Sequence, residues 1–539
     1  MYVHSRNRWK IQQGDLIVLK DLWQQQDERT RTILVLVVLF ALGFGLRLYR
    51  LAEYPPYVDE YIHTRRAIEL LDNHIVEWDR AYLTVTLPVY LSYRIFGISL
   101  WASRLPMVII NMLAIFPLFV LGNKVDRKVG YLAVGLFAVG PWIIAAGRTV
   151  RDYAIVPVFF YLVVALLVDL LDWSGQTLKQ YLGRHKFRII ILGLILGYVI
   201  FDKTSVLKIA VALYGIFGLL IVLKVLKQKP PLKTTIFIVI VGLLLVALIV
   251  KQTGIINRYL RSGEIFYGTT NRYWKVLVTS ELKQWYYIAP LGYLILLGAC
   301  YLAVRIVISG YKKADFAILF CILAFAANFI YLTFFVRTPR IPARIRYGVL
   351  MEYWYLVVIA IVVFRVYQIA GERLQKPAML VVHLGTLGLL INVPGIWTAI
   401  TYPGGGRSPI TGDQHYLVDS AYEFLVANLT EDDILLSDVL KQYDQLNGNQ
   451  LHPRETVSLL RLVFEQSEVG AVIDRNPCGW VAASPNIPDD RLKLPHEDFT
   501  FDGKQVRYYG ELDEIYLWQW MPISPNSDTI PCNVGIPDG

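Results

Sequence analysis

Asp59 and Glu60 stand side by side in Tyr54-Pro55-Pro56-Tyr57-Val58-Asp59-Glu60-Tyr61, just beyond the first long apolar run. An adjacent carboxylate pair is most often a solvated acidic loop. At a membrane boundary it can instead be a general base or a metal-binding group. A further carboxylate, Asp152, lies in the turn Gly147-Arg148-Thr149-Val150-Arg151-Asp152-Tyr153 between two apolar runs. Charges in so tight a turn must face water or one another, so they either neutralise each other or complete a site with Asp59. A later segment gathers Arg337, Arg340, Arg344 and Arg346 ahead of Tyr347. Such arginines can pair with lipid headgroups, and their planar fork equally suits the phosphate of a lipid-linked substrate at that depth.

The elements that must position these residues are membrane helices. Of 539 residues, 55% are hydrophobic and only 18% charged, and mean hydropathy is +0.44. This composition excludes a soluble globular protein and marks a polytopic membrane protein. Apolar runs occur at Thr32 to Tyr49, Trp101 to Gly122, Val129 to Ala146, Tyr153 to Leu171, Ile189 to Phe201 and Val206 to Leu223. Others follow at Thr234 to Val250, Tyr286 to Val304, Phe316 to Val336, Leu350 to Phe364 and Met379 to Ile400. Judged against the roughly 20 residues that a spanning helix needs, these make about 11 transmembrane helices. No short apolar core with a small-residue cleavage site opens the chain, so the first run is expected to remain as an anchor.

The net charge of +10 would suggest nucleic acid in a soluble chain, but here the basic residues fall in short segments between apolar runs. The segments around Lys124 to Lys128, Lys179 to Arg188, Lys224 to Lys233, Arg305 to Lys313 and Arg365 to Lys376 are all basic. They alternate with the spans as the positive-inside rule requires, so no nucleic-acid partner is implied. The same rule puts the N-terminal segment 1–31 in the cytoplasm. Asp59-Glu60, the turn at Arg148 to Asp152, the loop Lys251 to Trp285, the arginine-rich loop and the tail then share the opposite face.

The first outer loop, from about Leu51 to Leu100, contains two helix-like pieces, Tyr61 to Leu71 and Leu87 to Phe96. Both are too short to span and are expected to lie in the interface as a shelf for the acidic pair. His63 and His74 lack a ligand spacing and are expected at the surface. The transmembrane part extends over 32–400. Beyond Tyr402-Pro403-Gly404-Gly405-Gly406 the composition becomes soluble, so 401–539 reads as a small extracytoplasmic α/β domain. Its expected elements are a helix at Tyr416 to Leu429, a strand at Ile434 to Leu436 and a helix around Thr456 to Phe464. Strands are expected at Trp480 to Ala483, Val506 to Tyr509 and Ile515 to Trp520. Cys300 and Cys321 are expected as buried thiols, and a Cys478–Cys532 disulfide could form if the tail faces an oxidising compartment.

Several stretches together resemble the GT-C glycosyltransferases, nearest to the group of protein O-mannosyltransferases and lipid A aminoarabinose transferases. They are Arg47-Leu48-Tyr49-Arg50-Leu51, Asp59-Glu60-Tyr61, Arg66-Ala67, and Pro88 with Phe96-Gly97-Ile98-Ser99-Leu100-Trp101-Ala102-Ser103-Arg104-Leu105-Pro106. Gly147 to Ala154 and Arg346-Tyr347 extend the likeness, which is best over residues 40 to 170. The resemblance implies a GT-C-like polytopic helical fold with interfacial helices and a small C-terminal α/β domain. It implies transfer of a sugar from a polyprenyl-phosphate-linked donor to a lipid, glycan or protein acceptor at the outer face of the plasma (inner) membrane. It makes Asp59 the catalytic base, with Glu60 orienting it or binding a metal and Asp152 a second acidic member. Arg148, Arg151, Arg340, Arg344, Arg346 and Tyr347 become the partners of the leaving phosphate. Many relatives carry His-Pro-Pro where this chain has Thr86-Leu87-Pro88, so a divalent cation as cofactor stays open.

Two readings compete with an enzyme. A transporter or flippase of a lipid-linked or anionic solute would place charge or helix breaks near mid-membrane and often repeat its two halves. Here the charges gather at one boundary and no repeat is visible. A membrane scaffold explains the tail but leaves Asp59-Glu60 and the arginines without a role.

Overall fold

The computed structural model describes residues 27–53, 60–76, 81–171, 178–202, 289–309, 313–334, 349–373, 391–401 and most of 418–523, with isolated positions elsewhere. The two loops at Lys251 to Trp285 and Arg337 to Arg346, the runs at Val206 to Leu223 and Thr234 to Val250 in all but a few positions, and the hinge at Tyr402 to Gly406 lie outside the described residues.

Among the described residues, four helices are long and apolar enough to cross a membrane: Glu28–Leu48, Leu100–Asn123, Asp152–Leu170 and Glu352–Gly371. A bent pair, Arg127–Val139 with Pro141–Gly147, makes a fifth if counted as one span. The protein is a multi-pass membrane protein of apolar helices. We label its first helices α1 (Glu28–Leu48), α2 (Glu60–Asn73), α3 (Leu87–Phe96), α4 (Leu100–Leu113) and α5 (Ile115–Asn123). Next come α6 (Arg127–Val139), α7 (Pro141–Gly147), α8 (Val156–Leu170) and α9 (Leu178–Phe201). The later membrane helices are α10 (Ala289–Ser309), α11 (Lys313–Phe334), α12 (Val349–Arg373) and α13 (Val393–Thr401).

Local chemistry sets several of these boundaries. Asp27 caps α1 by accepting the Thr30 N–H at 2.6 Å, and Ser99 caps α4 through the Ala102 N–H at 3.1 Å; each satisfies a donor that the helix itself cannot. The hairpin of α5 and α6 closes tightly because both strands of contact carry glycine: a Cβ on Gly122 would stand 2.5 Å from the Gly130 Cα. Small residues of this kind let membrane helices approach backbone to backbone. The bend of 63° between α6 and α7 falls at Gly140-Pro141. Pro141 has no N–H to give to the Phe137 carbonyl four residues back. Arg47 on α1 supplies the missing donors, bonding to Phe137 O at 3.0 Å and Ala138 O at 3.2 Å.

The two short helices expected in the first outer loop form as α2 and α3, both shorter than a span. Between them Tyr82–Thr86 makes a single π-turn, with Thr86 N–H bonded to Ala81 O at 3.2 Å, five residues back.

The C-terminal part holds a six-stranded sheet in the order β2-β1-β3-β6-β5-β4. Its strands are β1 (Ile434–Ser437), β2 (Glu455–Ser458), β3 (Gly479–Ala483), β4 (Phe499–Phe501), β5 (Lys504–Leu512) and β6 (Ile515–Pro522). β1 pairs in parallel with β2 and β3, and the remaining pairs are antiparallel. One expectation is corrected here. Thr456, expected within a helix, lies in β2 opposite Leu435. The edge of β1 offers unpaired backbone groups, and Thr456 and Val457 are β-branched, so pairing overrides the weak helical spacing.

The sheet is not an isolated appendage. One continuous buried cluster joins Tyr61, Ile68, Val85, Val89, Tyr93 and Val150 of the membrane part to Ala421, Tyr422, Leu425, Trp480, Ile515 and Leu517 of the C-terminal part. A separate cluster containing Ile434, Leu436, Val481, Trp518 and Trp520 fills the other face of the sheet. Cys478 is disulfide-bonded and Cys300 and Cys321 are free thiols, Cys300 exposed rather than buried. Cys532 lies outside the described residues.

Candidate functional site

Glu60 opens α2 and is 1% exposed. Its Oε2 accepts from an Arg104 terminal nitrogen at 2.6 Å, and its Oε1 accepts from Arg104 Nε at 3.3 Å and from the Val150 N–H at 2.6 Å. Arg104, on α4, also donates to the Leu51 carbonyl at 2.9 Å. One buried ion pair therefore ties the end of α1, the start of α2, α4 and the turn after α7. Both carboxylate oxygens are engaged within the protein.

The turn that Glu60 holds is built by its own residues. Thr149 Oγ1 bonds back to Ala146 O at 3.0 Å, Arg151 N–H to Thr149 O at 2.8 Å and Ala154 N–H to Arg151 O at 3.2 Å. Asn111 on α4 receives Arg47 Nε at 2.9 Å and donates to Ala154 O at 2.9 Å. Gly147 is required beside it, since a Cβ there would come within 2.6 Å of Asn111 Oδ1 and 3.0 Å of Arg47 Nε. Asp152, expected as a second acidic member, begins the short turn Asp152–Ala154 and is buried. Arg151 is buried with its guanidinium 5.5 Å from the centre of the Tyr153 ring. The Tyr153 carbonyl accepts from Tyr353 Oη at 2.9 Å, which anchors the turn to α12.

The Arg148 guanidinium is fully buried and donates to Ala399 O at 2.8 Å and to Tyr49 O and Arg50 O at 2.9 Å each. These carbonyls end α1 and α13, where no further helical N–H reaches them. Arg148 thus braces these helix ends. Asp59, Arg340, Arg344, Arg346 and Tyr347 lie outside the described residues.

His63 also departs from expectation: it is buried on α2, with Nδ1 3.4 Å from Thr86 Oγ1, whereas His74 is exposed as expected. An imidazole therefore stands next to the threonine that heads α3. Among the described residues no group of three or more His, Cys, Asp or Glu is placed to hold a metal ion, so a divalent cation rests on the resemblance alone.

Sequence reasoning missed Arg104 as Glu60's partner, although its stretch carried part of the resemblance. It also missed the contact from the C-terminal part. Tyr61, next to Glu60, is buried, and burial first, then the charges of Tyr443, Glu60 and Asp419, push its hydroxyl well above the usual tyrosine range. Tyr443 donates to Asp419 and packs edge-on against Tyr422 with ring centres 5.2 Å apart. No periodicity or motif signals that pairing, because it joins residues more than 350 positions apart.

No protein-family model and no curated protein matches the chain. Among solved structures, the chain is similar to ArnT from Cupriavidus metallidurans in the apo state, with a TM-score of 0.51, 12% identity, and coverage of 92% of this chain and 98% of that one. ArnT bound to undecaprenyl phosphate gives a TM-score of 0.49 at 12% identity, covering 90% and 97%. An Archaeoglobus fulgidus oligosaccharyltransferase tethered with an acceptor peptide containing the NVT sequon gives 0.46 at 14% identity, covering 84% and 69%. The likeness to apo ArnT, a GT-C membrane glycosyltransferase, extends over nearly the whole of both chains and gives this chain a GT-C-like fold.

Proposed function

We propose that the chain is a membrane glycosyltransferase that moves a sugar from a polyprenyl-phosphate-linked donor to a lipid, glycan or protein acceptor, with Asp59 as general base. The observation that carries this reading is the buried clamp of Glu60 on Arg104 and the Val150 N–H. It fixes the backbone one residue from Asp59 and ties it to the turn bearing Arg151 and Asp152. A carboxylate at that point can take the proton of an acceptor hydroxyl while the hydroxyl oxygen bonds to the anomeric carbon. The bond from that carbon to the phosphate oxygen breaks, and the electron pair leaves with the lipid phosphate. Arg148, Arg151, Arg340, Arg344, Arg346 and Tyr347 are the proposed partners of that developing charge. The GT-C-like fold supports the reading at the level of architecture.

In the same proposal about 11 helices span the membrane, residues 1–31 face the cytoplasm, 32–400 form the transferase part and 401–539 lie outside the plasma membrane. The basic residues of alternate connecting segments support that orientation. The deciding experiment assays Asp59→Asn for consumption of a radiolabelled polyprenyl-phosphate-linked sugar. Loss of turnover in a folded protein is expected, and turnover at the unsubstituted rate would end the proposal.

A further inference from the structure

Asp202 follows the last residue of α9 and is wholly buried, yet the transfer chemistry above gives it no part. Its carboxylate faces the π-turn from across the first outer loop. Oδ1 accepts the Leu83 N–H at 2.7 Å, Oδ2 accepts the Thr84 hydroxyl at 2.5 Å, and the Asp202 carbonyl accepts the Ala81 N–H at 2.8 Å. One residue thus accepts three hydrogen bonds at the start of the turn. The turn itself is strained. Ala81 sits at φ +60°, a region that residues with a Cβ rarely adopt. Thr86 N–H reaches back five residues to Ala81 O, and Leu87 N–H reaches Tyr82 O.

Strained backbone of this kind persists where surrounding groups over-determine it, and single π-turns gather at functional sites. The position of this one is informative. Thr86 leads into α3 and meets His63, which lies one turn along α2 from Glu60. On its other side, Val85 of the turn lies in one buried cluster with Val150 and Ala154, which flank Asp152. Burial first, and Asp152 in addition, push the Asp202 carboxyl up, against the lowering bonds from Thr84 and Leu83. The π-turn therefore adjoins α2 through His63 and the turn that bears Asp152 through this cluster.

We infer that Asp202 is a positioning residue of the transfer site, holding the π-turn Tyr82–Thr86 in register with Asp152 and the Glu60 end of α2. The inference rests on the glycosyl-transfer reading. It acts through geometry: displacing reacting groups by about 1 Å reduces turnover by around a hundredfold, while affinity for the long lipid carrier is set elsewhere.

The test uses the full chain in lipid nanodiscs, with radiolabelled undecaprenyl-phosphate-linked mannose and 4-amino-4-deoxyarabinose as donor probes and cell-envelope lipid extract as acceptor. Asp202→Asn retains an acceptor for Leu83 and gains a donor to Thr84 Oγ1, so it should keep kcat within about threefold, whereas Asp202→Ala should lose more than about tenfold in kcat with donor KM within about twofold. Thr84→Val removes a single bond in a near-isosteric side chain and should lower kcat with KM again unchanged, which keeps the inference testable if Asp202→Ala fails to fold. Unsubstituted kcat in folded Asp202→Ala or Thr84→Val overturns it, as does a loss in Asp202→Asn as large as that in Asp202→Ala. Asp59→Asn is run alongside. If it is inactive while Asp202→Ala turns over normally, only the present inference fails. If Asp59→Asn is fully active, or the unsubstituted protein consumes neither donor, the transfer reading fails first.

Discussion

Replacing Glu60 by glutamine should deprive the buried Arg104 guanidinium of its Glu60 counter-charge. The native carboxylate receives a bidentate pair from Arg104, at 2.6 and 3.3 Å, and a third bond from Val150 N–H at 2.6 Å. Glutamine keeps one acceptor oxygen. Its amide nitrogen must then face either an Arg104 N–H or the Val150 N–H, and donor meets donor in both orientations. Breaking one half of a buried ion pair typically destabilises by about 3–5 kcal/mol, because the remaining charge stays desolvated. Replacing both partners by apolar groups of similar size is often close to neutral. Glu60→Gln should therefore lower the thermal unfolding midpoint in detergent clearly, and Glu60→Leu with Arg104→Met should recover most of it. Activity should follow a different course. The double variant still lacks the acceptor for Val150 N–H and the tie to Leu51 O, so sugar transfer should stay low when stability returns. Two results would refute the reasoning: a midpoint for Glu60→Gln equal to the unsubstituted protein, or a double variant that regains transfer together with stability.

The bonds of Arg148 predict that Arg148→Met destabilises the protein by removing three hydrogen bonds to helix-end carbonyls, of which only that to Ala399 is fully buried, at about 1–3 kcal/mol for each carbonyl left without water. Donor KM should change little in whatever fraction folds, as steady-state kinetics will show. Gly147→Ala should cost about 1–3 kcal/mol by overpacking against Asn111, with a fall in midpoint that Asn111→Ala partly reverses. Tyr443→Phe removes the hydroxyl donated to Asp419 beside Tyr61; transfer should fall several-fold if the C-terminal part steadies α2, and limited proteolysis should show the sheet itself intact. Asp433, which accepts the Thr430 N–H and hydroxyl at 2.9 Å each, has its carboxyl pushed up by burial first of all. The folded state then favours its protonated form, so its contribution to stability is full below the unfolded pKa of about 3.9 and is lost as pH rises through the higher folded value. Asp433→Asn should flatten that part of the stability profile, measured as the difference from the unsubstituted protein between pH 4 and pH 7.

Much of the architecture was legible in the sequence, because run length and residue spacing are local properties. A membrane helix must satisfy its backbone within one segment, so apolar runs such as Thr32 to Tyr49 and Tyr153 to Leu171 announce themselves. They appear as α1 and as the span Asp152–Leu170. Leu87 to Phe96, too short to span, forms α3 at the bounds read from the sequence. The strand at Trp480 to Ala483 was legible for a similar reason, since its small and aromatic residues lie between turn formers.

The site was legible only in part. The sequence drew attention to Glu60, Arg148 and Asp152 because charged residues at membrane boundaries are rare and need partners. It could not say what those partners are. Glu60 closes on Arg104, 44 positions away, and Arg148 on Ala399, 251 positions away. Asp202, 118 positions from Thr84, looked like an ordinary residue at the end of a run. Composition and periodicity record what each segment needs, namely apolar cover, a cap or a counter-charge. Which distant segment supplies it is settled when the helices pack and their freed carbonyls, N–H groups and charges are paired, as Arg104 pairs with Glu60 and Asp202 with the turn at Leu83 and Thr84.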